Sequence, residues 1–242
     1  MKTLLRLRES LGLLSGVLLA GPVGIGSRLR RARLFHPEGQ LYRGEVTAVA
    51  AGGEARAVAA RLEGPALVRL SGALFRGDDG RFDILGCALR LHDEGEPGLW
   101  PSGRDQDLLF ATARSALTLG LAIVTTDARD FLRNDYYSIG LFDAPPLGIV
   151  QLRLCPARRE PDGGLRRDRL EGAVRRGEAR AGRGPWVKLA VLRLSGRAAL
   201  DQAALRFSPM TAGRGLEPRG FLQALRRAPY RASQRMRGAA GG

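Results

Sequence analysis

The chain has 242 residues, of which 44% are hydrophobic and 26% are charged, a composition that excludes a disordered or collagen-like protein. A chain of this length forms one large domain or at most two small ones. Lys and Arg total 39 against 24 Asp and Glu, for a formal net charge of +15, but we expect a basic soluble surface and no specific nucleic-acid partner, because the sequence lacks a basic stripe interleaved with aromatic residues.

The N-terminal segment, residues 1–26, combines basic residues with an apolar run over residues 11–25. Gly and Pro interrupt this run, and it is shorter than the roughly 20 residues of a membrane-spanning helix. Three interpretations stay open: an amphipathic helix that docks on the domain, a signal peptide, and peripheral membrane contact through residues 1–31. We expect a cytoplasmic protein, with membrane association as the alternative.

Most of the remaining chain has the alternating apolar pattern of β-strands. This pattern predicts strands over residues 41–50, 66–74, 83–91, 108–112, 148–155 and 186–194. Helices are predicted around residues 128–133 and within 218–237, and residues 157–184 are predicted to be an arginine-rich loop insertion. Residues 238–242 are expected to be a flexible tail. Many strands with few helices favour an α+β domain over residues 27–237, built as a closed antiparallel β-barrel with a few flanking helices.

Several short motifs follow one another in a definite order. The motifs before and within the first three predicted strands are Arg33, His36 and Gly39, then Arg69-Leu70-Ser71, then Asp83, Gly86, Ala88 and Arg90. Later motifs are Asp107-Leu108-Leu109, Asp127-Ala128-Arg129-Asp130-Phe131, and Arg226, Tyr230 and Arg237. This order resembles the haem-dependent catalase-like superfamily. Residues 134–138 and 205–209 resemble its short bacterial branch, whose members are often labelled phosphodiesterase.

The resemblance implies a barrel of catalase type that binds haem b with Tyr230 as the axial ligand of the iron. Tyrosine ionises near pH 10 in water, so a phenolate ligand needs a neighbouring cation, and Arg226 would be four residues away on a helix. Pro229 interrupts such a helix and leaves this geometry open. The resemblance also implies further cofactor-binding residues: Arg33, Arg69 and Arg237 for the propionates, and Phe131.

On the other side of the haem, the resemblance implies His36 as the residue that moves the peroxide proton and Ser71 as its hydrogen-bond partner. In catalases an asparagine pair follows the Asp-Leu-Val motif that Asp107-Leu108-Leu109 resembles. In this chain the residues that follow are Phe110-Ala111-Thr112. Thr112 is therefore the only polar candidate at that position. This chain therefore lacks the asparagine amide on the peroxide-binding (distal) side of the haem. We expect weak catalase activity and a peroxidase or organic-hydroperoxide activity, with hydrogen peroxide or an organic hydroperoxide as substrate.

Other functions stay open at this stage. The same barrel could hold a lipid or another apolar ligand without haem. A basic nucleic-acid or membrane-surface binder rests on charge alone. The phosphodiesterase label finds no support, because the sequence has no His and Asp cluster for two metal ions.

Overall fold

The computed structural model describes residues 39–72, 83–93, 95–114, 119–138, 140–156, 169–176 and 185–219. Within these ranges lie ten strands: β1 (Gln40–Ala48), β2 (Gly64–Gly72), β3 (Leu85–Leu91), β4 (Gln106–Ala111), β5 (Tyr136–Tyr137), β6 (Leu141–Asp143), β7 (Ile149–Pro156), β8 (Arg169–Arg176), β9 (Val187–Arg197) and β10 (Glu217–Arg219). The helices are α1 (Gly53–Arg61) and α2 (Leu119–Thr125), with a 3-10 turn at Phe131–Arg133.

All ten strands belong to one antiparallel sheet, in the order β10-β6-β7-β5-β4-β3-β2-β1-β9-β8. In addition, β8, the last strand in this order, pairs with β7, the third strand. The sheet therefore curls until these two strands are neighbours. The central strands β1 to β4 follow one another along the chain as a meander, with each strand paired to the next. This meander carries most of the motif residues that the structure describes.

The expected fold class, an α+β closed antiparallel barrel of catalase type with flanking helices, is wrong as stated. The described residues form a mainly β structure with only two short α-helices. The ten-stranded sheet as a whole is not closed into a barrel: among the described residues β10 pairs with β6 alone, which leaves an edge. The two helices that the structure describes, α1 and α2, are not the two that the sequence predicted.

The six strands predicted from alternation are confirmed, with shifts of a few residues at their ends. Two other predictions need correction. The helix expected around residues 128–133 is only the 3-10 turn Phe131–Arg133, and the loop expected over residues 157–184 contains β8. Of the helix expected within residues 218–237, Glu217–Arg219 is strand β10 and the rest lies outside the described residues, as do residues 1–26 and 238–242.

One face of the sheet, here called the inner face, carries the main hydrophobic core. On β2 it is formed by Ala66, Val68 and Leu70, and the neighbouring strands contribute Leu89, Leu91, Leu108 and Phe110. Because side chains alternate along a strand, Leu67, Arg69 and Ser71 point to the opposite, outer face. No helix among the described residues is long and apolar enough to cross a bilayer.

The outer face of β1 to β4 is partly covered by the segment 198–209, here called the strap. The amide of Ala198 donates to the carbonyl of Leu41 over 2.9 Å, and Leu205 and Phe207 join Leu41 and Leu67 in a second hydrophobic cluster. Helix α2 contributes Ala122 to a third cluster that contains Ala111. The outer face is therefore covered at one end by the strap, while α2 packs near Ala111.

Candidate functional site

Arg69 and Ser71 lie on the outer face of β2, two residues apart. Strand register places Arg69 opposite Ala88 of β3, which is opposite Leu109 of β4. In the next row, Ser71 is opposite Gly86, which is opposite Ala111. The residues beside Arg69 and Ser71 form what we call the outer floor: Gly86, Ala88, Leu109 and Ala111. Three of these four have a side chain no larger than a methyl group, and the fourth, Leu109, packs with Ala88 against the hydrophobic cluster under the strap.

The guanidinium of Arg69 is buried, with 4% of the residue exposed. Its Nε donates to Oε1 of Gln202 over 3.3 Å. A Cβ atom at Gly39 would lie 2.7 Å from Cζ of Arg69, so only glycine allows the chain entering β1 to pass this closely. Burial lowers the pKa of Arg69 to about 10, which keeps the side chain cationic at neutral pH. A buried cation beside small apolar side chains suits a ligand that carries a carboxylate.

Three motifs of the sequence meet at a different place, under the strap. Arg90 and Asp107 form a two-bonded ion pair on neighbouring strands, and the side chains are 0% exposed. The strap completes the cluster, since the amide of Ser208 donates to Asp107 over 2.7 Å and the ring of Phe207 lies under Arg90. Burial raises the pKa of Asp107, and the bonds from Arg90 and Ser208 oppose that rise. All these contacts hold the strap to the sheet, so we assign the cluster a structural role.

Thr112, the candidate distal residue, already has hydrogen bonds within the fold. Its hydroxyl oxygen accepts from the amide of Leu85 over 3.2 Å and from the hydroxyl of Thr126 over 2.8 Å. These bonds tie the end of β4 to β3 and to the residue that follows α2. The hydroxyl proton of Thr112 is its only donor, so a catalytic role would depend on that proton. The catalytic assignment of Thr112 stays a prediction.

Phe131, a predicted cofactor-binding residue, packs against the inner core cluster, whereas Arg69 and Ser71 point to the outer face. Its carbonyl accepts a hydrogen bond from the hydroxyl of Tyr136 over 2.7 Å. The structure therefore does not bring Phe131 together with Arg69 and Ser71. The motif Asp127-Ala128-Arg129-Asp130-Phe131 instead leads into a turn, in which the side chain of Asp130 accepts a hydrogen bond from the amide of Leu132.

The remaining predicted site residues, which are Arg33, His36, Arg226, Tyr230 and Arg237, lie outside the described residues. The structure thus brings together Arg69 and Ser71 from the predicted set. Among the described residues, no group of three or more His, Cys, Asp or Glu could hold a metal ion. A haem iron needs a single protein ligand, which could come from any one suitable side chain.

The three described tyrosines all use their hydroxyl groups in hydrogen bonds. Tyr42 donates to Gln40, Tyr136 donates to the carbonyl of Phe131, and Tyr137 donates to Asp135 over 3.1 Å. Burial raises the pKa of Tyr136, and burial together with Asp135 raises that of Tyr137. These environments disfavour a phenolate, so Tyr136 and Tyr137 are unsuited to binding a ferric iron.

Gln202 is the functional candidate that sequence reasoning missed. It touches both Arg69 and the carbonyl of Gly39, yet it lies 133 residues after Arg69 in a turn that matches none of the motifs. Its neighbour in the sequence, Asp201, accepts from the amide of Ala203 over 2.8 Å. An Asp that caps its own turn was the only local signal, and it indicates an ordered turn without revealing the long-range contact.

The inner face encloses a small apolar cavity of about 40 Å³. Its lining includes Leu89, Leu108, Phe110, Leu152 and Leu189. A pocket of this size has room for a few water-sized molecules. The alternative function, a haem-free fold that binds a lipid or another apolar ligand, stays a prediction.

Comparison with known proteins gives one type of match. No family model matches the chain, and no curated protein matches it. Among solved structures, a fungal catalase is similar, with a TM-score of 0.56 and 12% sequence identity. The match covers 85% of this chain and 59% of that catalase, so the chain spans about three-fifths of the length of the catalase. The fold of this protein is therefore catalase-like, and at this identity the match concerns the fold alone.

Proposed function

We propose that the protein binds haem b against the outer floor and uses it to consume peroxides, with peroxidase or organic-hydroperoxide activity and weak catalase activity. The observation that carries this proposal is the placement of Arg69 and Ser71 on one face of β2, beside a floor made of small residues. The catalase-like fold supports the same assignment.

In this proposal the small side chains of the outer floor would lie against a planar macrocycle. Gly86, Ala88 and Ala111 provide no side chain beyond a methyl group, so a flat ring can pack closely against the strands. Arg69 provides a cation at neutral pH beside this floor, and a haem propionate requires such a partner when it is buried. A bidentate bond between a guanidinium and a carboxylate fixes orientation as well as charge.

Tyr230, which the resemblance to catalases implies as the iron ligand, would hold the haem iron in this proposal. The chain has four tyrosines, and the other three donate their hydroxyl groups to partners within the described structure. Arg226 is the cation that would lower the pKa of the Tyr230 phenol toward neutrality. Arg33 and Arg237 join Arg69 as partners of the propionates.

His36 and Ser71 carry the proton chemistry in this proposal. His36 is three positions before Gly39 in the sequence, so covalent connection keeps the two Cα atoms within about 11 Å. Gly39 in turn packs against Arg69, which is two residues from Ser71. A hydrogen bond from Ser71 would fix the tautomer of the imidazole, and His36 would carry a proton from one peroxide oxygen to the other. Bound haem supplies the iron at which a peroxide O–O bond is cleaved.

Haem reconstitution tests the proposal. We expect the purified full chain to take up one equivalent of haem and to show a Soret band with tyrosinate-type visible features. The matched pair of variants is Arg69→Leu, which removes the cation, and Arg43→Leu, which removes an exposed arginine of β1. The first should weaken haem binding and the second should not. A wild-type protein that takes up no haem would refute the proposal.

A further inference from the structure

We propose that Gln202 is a positioning residue that fixes the guanidinium of Arg69 and the start of β1 relative to each other. The contacts of Gln202 with Arg69 and Gly39 belong to the fold without any ligand. Only the effect of Gln202 on a bound ligand rests on the proposed function. Gln202 matches none of the sequence motifs. It acts through Arg69 and Gly39 and does not itself touch the reacting atoms.

The two ends of the Gln202 amide have different partners. Oε1 accepts from Nε of Arg69 over 3.3 Å, and Nε2 donates to the carbonyl oxygen of Gly39 over 3.0 Å. A guanidinium only donates and a carbonyl only accepts, so one orientation of the amide satisfies both partners. Glutamine is the residue that supplies a donor and an acceptor at this reach. Glutamate keeps the acceptor and loses the donor, and methionine keeps the length and loses both.

The backbone around Gln202 is anchored on both sides. Before it, the amide of Ala198 is bonded to Leu41 on β1. After it, the amide of Leu205 donates to the carbonyl of Asp201 over 2.9 Å. Leu205 itself is fully buried in the second hydrophobic cluster, with Leu41 and Leu67. The position of the amide is therefore set by the strap, which is itself held by the Arg90–Asp107 pair. Gln202 transmits this fixed position to Arg69.

A bond to Nε determines where the rest of the guanidinium points. The group is planar, so fixing Nε–H fixes the plane and the direction of the two terminal nitrogens. Gly39 adds a steric limit, since it approaches Cζ and one terminal nitrogen of Arg69 closely. Gln202 thus holds the cation of Arg69 and the carbonyl of Gly39 in one arrangement. Any ligand carboxylate that Arg69 binds would meet the cation in a preset orientation.

The first test needs no haem. The exchange of the Arg69 Nε–H proton with water is measured by 15N–1H NMR on the full chain, with the signal assigned by Arg69→Lys. We expect Gln202→Met to speed this exchange about fivefold to tenfold, the worth of one net hydrogen bond. Gln202→Glu, which keeps the acceptor, should preserve the slow exchange. Gln151→Met is the matched control, because Gln151 bridges Arg114 and Ser138 away from Arg69.

The second test compares haem with its dimethyl ester, which lacks the propionate charges. We expect the wild type to prefer haem, and Gln202→Met to reduce this preference about fivefold while binding the ester almost as well as the wild type does. An unchanged Arg69 Nε–H exchange rate in Gln202→Met would overturn the positioning role. A wild type that binds neither compound would refute the haem proposal, and the exchange rates would still decide the role of Gln202.

Discussion

Asp107 accepts two hydrogen bonds from Arg90 across the β3–β4 ladder, at 2.8 Å from Nε and 3.0 Å from a terminal nitrogen. The remaining capacity of both groups is taken up by backbone: Arg90 donates to the carbonyls of Gly98 and Arg206, and Asp107 accepts from the amide of Ser208. Each nitrogen and oxygen of the two charged groups has a hydrogen-bond partner, and neither side chain is exposed to solvent. The function of the pair is to join β3, β4 and the strap.

Removing one member of this pair should therefore be costly. We expect Asp107→Leu and Arg90→Met each to lower the free energy of unfolding by about 3–5 kcal/mol, because each leaves a buried charge without its partner. The double variant should cost clearly less than the sum of the two. Urea unfolding measures all three. The control is Glu96→Gln, which breaks the exposed Arg43–Glu96 pair and should cost at most about 1 kcal/mol.

Additive costs in the double variant would contradict the ion-pair account. They would mean that each side chain contributes by packing alone. The exposed control keeps this outcome interpretable, because it shows how much a charge change on the surface affects the urea midpoint.

The strands β1 to β4 could be predicted from the sequence because their alternation is carried by β-branched and leucine residues within single segments. The register was not predictable, since the contact between Arg69 and Gln202 joins residues 133 positions apart. Strand β8 was hidden because arginine and glycine surround its apolar residues, and its pairing with β7 and β9 stabilises it. The Arg-x-Ser pattern on β2 placed Arg69 and Ser71 on one face, since strand side chains alternate with a period of two.

Cys87 on the inner face should make the protein less stable at alkaline pH. Burial raises the pKa of its thiol to about 12, whereas an unfolded thiol ionises near pH 8.5. The contribution to stability is therefore complete below about pH 8.5 and is lost as pH rises toward 12, by up to about 1.4 kcal/mol per pH unit.

Urea unfolding at several pH values between about 8 and about 11 would measure this slope, because most of this range lies between the pKa values of the unfolded and the folded thiol. We expect Cys87→Ala to reduce this dependence of the unfolding free energy on pH. The cavity that the substitution creates lowers the unfolding free energy equally at every pH and does not change the slope. Cys155→Ala, at a half-buried position, should leave the slope as it is in the wild type. A slope that is equal in the wild type and Cys87→Ala would exclude Cys87 as its source.

Thr112 allows a structural role to be separated from a catalytic one. Thr112→Val removes the acceptor of the Leu85 amide and the Thr126 hydroxyl, so we expect a loss of about 1–3 kcal/mol in unfolding free energy. Thr112→Ser keeps the oxygen and should lose less. The second measurement is the rate of peroxide consumption by the folded variants. If Thr112→Ser and Thr112→Val both consume peroxide at the wild-type rate, Thr112 has a structural role only.

Oxygen evolution from hydrogen peroxide should be slow in the wild type, while oxidation of a small phenolic or diammonium dye should be detectable. The reason is that the resemblance to catalases implies an asparagine pair at the positions where this chain has Phe110-Ala111-Thr112. The measurement is oxygen release with an electrode beside a dye assay on the same haem-loaded sample. Rapid oxygen release, at rates typical of catalases, would show that the missing amide does not limit the reaction.

His36→Ala should leave haem bound and lower peroxide-dependent activity by about 10²–10⁴-fold, the usual worth of general acid–base catalysis. His92→Ala is the matched control, because His92 is the other histidine and its ring contacts the carbonyl of Asp93. Soret absorbance would report haem occupancy and initial rates with peroxide would report turnover. Equal rates for the wild type and His36→Ala would assign His36 a structural role.

Haem titration of Tyr230→Phe tests the central claim most directly. Phenylalanine keeps the ring and deletes the only atom able to bind the iron, so we expect the loss of stoichiometric haem binding or a strong shift of the visible spectrum. Tyr137→Phe, which removes a hydroxyl bonded to Asp135, should bind haem with the wild-type spectrum. An unchanged spectrum and stoichiometry in Tyr230→Phe would contradict the account, because the iron would then have another ligand.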